Sequence, residues 1–119
     1  MTEDYCVVLM TAPDAAAAEK IAGELVRARL AACVTRLPGA VSTYHWQGKV
    51  ETAQEVVLLA KSRVSLASEL VEFVRKLHPN SVPEIVALPI AAGHAGYLDW
   101  IGANTRFSKP KRAQAARGE

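Results

Sequence analysis

Between Ala32 and Ser62 the chain carries two long runs of alternating side chains that meet at Gln47-Gly48-Lys49. On the first run Val41, Thr43 and His45 fall on one side of an extended chain, and Ser42, Tyr44 and Trp46 on the other. The return run, Val56-Val57-Leu58-Leu59-Ala60, is apolar on both sides, the pattern of a strand with helices over one face and something else over the other. At about 3.3 Å per residue, arms this long reach well past the edge of a small domain. Their outer halves need another chain to lie on. Pro38-Gly39 interrupts the first arm, where a missing amide donor and a flexible backbone predict a bulge or bend between a local and an outer half.

A single core typically runs to about 100–150 residues, so a chain of 119 residues has room for one domain, assigned to 1–107. Tyr5 to Thr11 is a near-continuous apolar strand. Asp14 is placed to accept from the first free amides of a helix whose stripe is Ile21, Ala22, Leu25 and Ala28. After the return arm, Ser65 is expected to cap a second helix with the stripe Leu66, Leu70, Phe73, Val74 and Leu77. His78 precedes Pro79 and is pushed out of helical geometry, which ends that helix. Ile85 to Leu88 forms a short strand closed by Pro89. His94 is expected to be solvated in a loop between Gly93 and Gly96, and a last helix to run from Tyr97 to about Thr105. The order β-α-β-β-α-β with an added C-terminal helix is that of an α+β, ferredoxin-like sandwich, four strands with two helices on one face. Nothing within the chain covers the other face.

The net charge is +2, but its distribution says more. Five basic residues and one acidic residue fall in the last fourteen positions, which leaves the preceding part at −2. Residues 108–119, a Lys/Pro/Ala/Gly stretch without the apolar groups that offset ordering entropy, are expected to be a disordered basic tail. Cys6 and Cys33 lie in apolar runs and are expected to be buried free thiols. The apolar run Tyr5 to Met10 is far too short for a signal core or a membrane span, so the expected location is the cytoplasm, with no membrane partner.

No glycine-rich phosphate loop, Cys-x-x-Cys pair, His-x-x-x-His pair or Gly-x-Ser-x-Gly elbow occurs, and no enzymatic step is expected. The same strand order hosts RNA-recognition modules that stack bases on central-strand aromatics. Here the central strands are aliphatic, with Tyr5 at a strand start, so nucleic acid is not an expected partner. His45 beside Trp46 suits an interface. Two roles are open to His78 at its helix end: a cap favoured by the helix dipole, or a metal or ligand contact. Met10 offers a soft sulfur or core packing.

The blocks Val8-Leu9-Met10-Thr11-Ala12-Pro13-Asp14, Leu30-Ala31-Ala32-Cys33-Val34, Leu37-Pro38-Gly39, Tyr44-His45-Trp46-Gln47-Gly48-Lys49, Leu77-His78-Pro79, Val82-Pro83-Glu84-Ile85, Leu88-Pro89-Ile90 and Tyr97-Leu98-Asp99-Trp100-Ile101 follow in order along nearly the whole chain. Together they resemble the CutA family of divalent-cation tolerance proteins. The resemblance implies a homotrimer of ferredoxin-like subunits, sheets inward and hairpin arms wrapping neighbours, much as in PII-type signalling proteins. It implies a link to tolerance of copper and other divalent metals, with copper as a possible ligand. The family's copper ligands fall at a cysteine where this chain has Met10 and at histidines before Pro79, of which His78 is retained and Leu77 stands beside it. Cys33 matches the family's Ala-Ala-Cys cysteine. Met10, Cys33 and His78 are thus the implied metal residues, with a thioether suited to Cu(I) rather than Zn(II). A second expectation is a PII-like sensor whose clefts between subunits hold a small ligand, lined by His78, Lys61, Glu84, Tyr44 and Trp46. The third is a scaffold with no ligand.

Overall fold

The computed structural model describes residues 4–107. The basic tail expected at 108–119 lies outside the described residues. Three helices and four strands follow in the order β1 (Tyr5–Ala12), α1 (Ala15–Arg27), β2 (Cys33–Trp46), β3 (Lys49–Arg63), α2 (Ala67–Leu77), β4 (Ile85–Pro89) and α3 (Ala95–Ala103). The strands form one sheet in the order β2-β3-β1-β4, and every neighbouring pair is antiparallel.

Asp14 caps α1 as its position in the sequence requires, accepting from the Ala17 amide at 2.8 Å. Ser65 does not play the corresponding part for α2. A single 3-10 turn, Val64–Leu66, intervenes, and Leu66 occupies the N-cap position with no side-chain cap bond. The turn carries Leu66 fully into the core, so burial fixes this entry. His94 is not simply solvated. Its Nδ1 accepts the Tyr97 amide at 3.1 Å and caps α3, which starts two residues earlier than its apolar pattern suggests.

Antiparallel register sorts the sheet residues into two faces. Cys6, Val8, Met10 and Ala12 of β1, with Val56, Leu58 and Ala60 of β3, are buried against Ala18, Ile21 and Leu25 of α1 and Leu66, Leu70 and Val74 at α2. On the opposite face Val7 stands between Lys61 and Leu88, Leu9 between Leu59 and Val86, and Val57 between Thr11 and Leu37. Leu37, Val86 and Leu88 are each about half exposed. α3 covers only one end of this second face. There Arg63 donates to Thr105 Oγ1 at 2.9 Å and to the Gly102 carbonyl at 2.6 Å, and its guanidinium lies 4.5 Å from the Phe107 ring centroid. A Cβ on Gly102 would come within 2.6 Å of the Tyr5 hydroxyl, so glycine is what allows α3 to sit on β1.

The β2–β3 hairpin is the longest element, of 14 and 15 residues. Its register shifts between Leu37 and Ala40, where Gly39 has φ of 86° and Pro38 supplies no amide. At the tip, Gln47 and Gly48 have φ of 51° and 80°. This two-residue turn with both central residues left-handed matches the right-handed twist of the strands it joins.

Candidate groove at the base of the outer hairpin

Beyond the bulge, Ala40, Ser42, Tyr44 and Trp46 pair with Glu55, Ala53, Glu51 and Lys49 and so share one side of the hairpin. That side forms one wall of an open groove of about 690 Å³, within the size range of small-molecule sites. Asn80, Ser81, Val82 and Glu84 form the facing wall, and Thr11 is at the base. Ser42 Oγ donates to Glu55 Oε1 at 2.5 Å, and Thr11 Oγ1 donates to Glu84 Oε1 at 3.4 Å. Both carboxylates are therefore oriented by hydroxyl donors.

His78 stands behind this groove. The Asn80 amide donates to its Nδ1 at 3.0 Å, which leaves Nε2 to carry the proton and donate to the Thr11 carbonyl at 2.7 Å. The buried imidazole thus ties together the backbones of two residues that line the groove. Its extended backbone, φ −73° and ψ 137°, is the geometry imposed by Pro79.

The structure does not bring Met10, Cys33 and His78 together. Met10 is fully buried on the helix-covered face, paired with Leu58 and Ile85. Cys33 is half-buried rather than buried, and its register with Lys61 places it on the opposite face of the sheet. Side chains on opposite faces of a sheet cannot ligate one ion. Both nitrogens of His78 are already engaged, and ligation would leave a buried backbone group without its partner. Among the described residues no three His, Cys, Asp and Glu side chains converge as a metal cluster. A resident copper site built from these three residues does not fit the geometry.

The cleft residues expected from the sequence divide as well. Of the residues expected in a cleft between subunits, Glu84, Tyr44 and Trp46 line this groove within one subunit and Lys61 lies outside it. Lys61 lies four residues along β3 from Val57, the partner of Thr11, and its Nζ donates to Thr35 Oγ1 at 2.6 Å. Thr11, Ser42, Glu55, Asn80 and Ser81 were missed. Alternation could have placed Ser42 with Tyr44 and Trp46, whereas Thr11 and Asn80 meet only through His78.

Cys33 forms a separate pair with α3. Its Sγ is 3.6 Å from the Tyr97 hydroxyl, and the Tyr97 ring stacks on Trp100 with centroids 5.8 Å apart. The hydrogen bond with Cys33, then burial, raises the pKa of Tyr97. Burial alone raises that of the Cys6 thiol, which leaves it less of the reactive thiolate.

Residues 6–104 match the family described as CutA1 divalent ion tolerance protein. The divalent-cation tolerance protein CutA of Thermus thermophilus is 52% identical over 99 residues, covering 83% of this chain and 96% of that protein. The crystal structure of CutA from Xylella fastidiosa superimposes with a TM-score of 0.85 at 45% identity, covering 87% of this chain and 99% of that one. A structure from Archaeoglobus fulgidus, described as a periplasmic divalent cation tolerance protein CutA, has a TM-score of 0.82 at 36% identity, covering 84% and 97%. Among the described residues no helix is long and apolar enough to cross a membrane. With a match spanning nearly all the described residues, this chain belongs to the CutA1 family of divalent ion tolerance proteins.

Proposed function

We propose that the chain acts in divalent-cation tolerance as a cytoplasmic homotrimer, without a catalytic step. Its ferredoxin-like subunits would face one another across their open sheet faces, each outer hairpin lying on a neighbour. One observation supports this above the others: Val7, Leu9, Val57, Leu59, Val86 and Leu88 form a contiguous aliphatic face that α3 covers only at one end. A face of this kind left in water marks an association surface, and identical subunits close most simply around a symmetry axis. Obligate interfaces of this type bury about 2,000 Å² or more. Light scattering at micromolar concentration should give three times the subunit mass, and a monomer mass overturns the proposal. Val57→Asp or Leu59→Asp should abolish soluble assembly, because each would bury an unpaired charge.

Cation contact in such a trimer is weak, because the soft-ligand route through Met10, Cys33 and His78 requires Met10 to leave the core and His78 to give up two hydrogen bonds. Cu(I) titration of the parent and of His78→Ala at several pH values tests that route. Equal affinity at every pH removes His78 from it; an affinity that falls with acid only in the parent restores His78 as a ligand.

The groove favours a second reading, a PII-like site for a small ligand, since it combines ligand-sized volume with two aromatic rings and oriented polar groups. A thermal-shift screen registers a ligand as a rise in apparent stability. No response to any small molecule would leave the trimer as a scaffold.

A further inference from the structure

We propose that the groove selects a small organic cation, an amine or quaternary ammonium group. This rests on the second reading above, that the groove holds a small ligand, and assigns that ligand's chemical class. Among the described residues the only charged side chains lining it are Glu55 and Glu84. The described ion pairs, Glu24–Arg27, Glu72–Arg75 and Glu69–Arg106, lie elsewhere and take up neither carboxylate. Lys49, paired with Trp46 at the hairpin tip, does not line the groove. Ser42 and Thr11 each donate to one carboxylate oxygen, which orients the acids before any ligand arrives.

The aromatic wall separates an organic cation from a metal ion. Tyr44 and Trp46 share one side of the hairpin, line the groove and are 42% and 49% exposed in the single subunit, so a neighbour lying on the hairpin would border the same groove. A ring face attracts an ammonium group placed within about 6 Å of its centroid, and a quaternary ammonium suits it best because such a cation is weakly hydrated. A hard divalent ion gains nothing from a ring. A hydrated magnesium ion is held by one or two carboxylates, so the two acids alone do not choose between the cations, and the ring faces are what favour an organic one. Acid and aromatic together match a cation that carries its own apolar surface. Among the described residues an anion would meet two carboxylates and no compensating charge.

The test uses the full chain with Trp100→Phe, which leaves Trp46 the only one of the two tryptophans. Trp46 emission is followed at constant ionic strength against choline, against its neutral isostere 3,3-dimethylbutan-1-ol, and against magnesium chloride. Choline should give a saturable change with a Kd on the order of 1 mM or below. The neutral alcohol should give none over the same range. Glu55→Gln and Glu84→Gln should each weaken choline by about tenfold, a change worth about 1.4 kcal/mol, with the assembly mass unchanged by light scattering. If the alcohol binds as well as choline, the cation inference fails and the small-ligand reading survives. If magnesium produces the same carboxylate-dependent change at the same concentration, the groove is a divalent-ion site and the inference is overturned. If no probe saturates and the thermal-shift screen is also silent, both readings fall.

Discussion

In the inner half of the β2–β3 hairpin, Val56, Leu58 and Ala60 are buried under two helices, whereas in the outer half Val41 and Val50 are 60% and 66% exposed. The two halves share one strand pair, one twist and much the same β-branched composition, so neither hydrogen bonding nor intrinsic preference distinguishes them. The difference is what packs on each. Helices run out where the bulge at Pro38-Gly39 sets in, and beyond it the ladder continues with nothing among the described residues above it apart from the groove wall. Burial is concentrated in the inner half, and the outer half presents the surface that the proposed trimer would cover.

Substitutions can sharpen or break that contrast. Leu58→Ala should cost about 2–5 kcal/mol, as expected for a fully buried leucine in a core that cannot collapse freely, read as a urea midpoint. His78→Ala comes next, at about 1–3 kcal/mol, because the Asn80 amide and the Thr11 carbonyl both lose a partner. Amide chemical shifts should move at Thr11 and Asn80 and leave the hairpin tip unchanged. Gly48→Ala, at φ of 80°, should cost about 1 kcal/mol through left-handed strain at the turn. Val50→Ala belongs with ordinary surface changes, within about 0.5 kcal/mol, if the neighbour in the proposed trimer leaves this side of the hairpin in water. A loss at Val50 as large as that at Leu58 would show that the outer half is covered in solution, and the contrast would then hold only for the isolated subunit.

The smallest effect concerns Glu72, about half exposed on α2. Its hydrogen bond to Arg75 holds its carboxyl below the ordinary value of 4.5. With the folded value depressed, the stabilisation is present above the unfolded pKa and lost as pH falls through the folded one. Glu72→Gln should shift the midpoint least of all these variants, and that difference should vanish in acid.

Sheet, helices and bulge were legible in the sequence because each rests on local periodicity or on a residue with one backbone meaning, such as Asp14, Pro38 or Pro79. The entry to α2 was not, because Ser65 offers a cap locally while the burial of Leu66 decides tertiary placement. The candidate site was half legible. Tyr44, Trp46 and Glu84 reach the groove of the single subunit, whereas Lys61, expected in a cleft between subunits, lies at the far end of the sheet's open face. Nothing in a linear pattern reveals that His78, 67 positions from Thr11, spends its ring nitrogens on two backbones.

The clasp of Arg63 on α3 bears on how the molecule breathes. α3 meets the sheet through Gly102 and Thr105 on Arg63, and through Tyr97 on Cys33, with Ile101 its one large apolar side chain that is fully buried. Elements held in this way open by local fluctuation well below the free energy of global unfolding. Amides of α3 should therefore exchange with deuterium before those of β1 and β3. Each opening would bare Tyr5 and Arg63, lengthening the aliphatic face of the sheet at one end. The docked helix thus acts as an adjustable border on the surface through which subunits would meet.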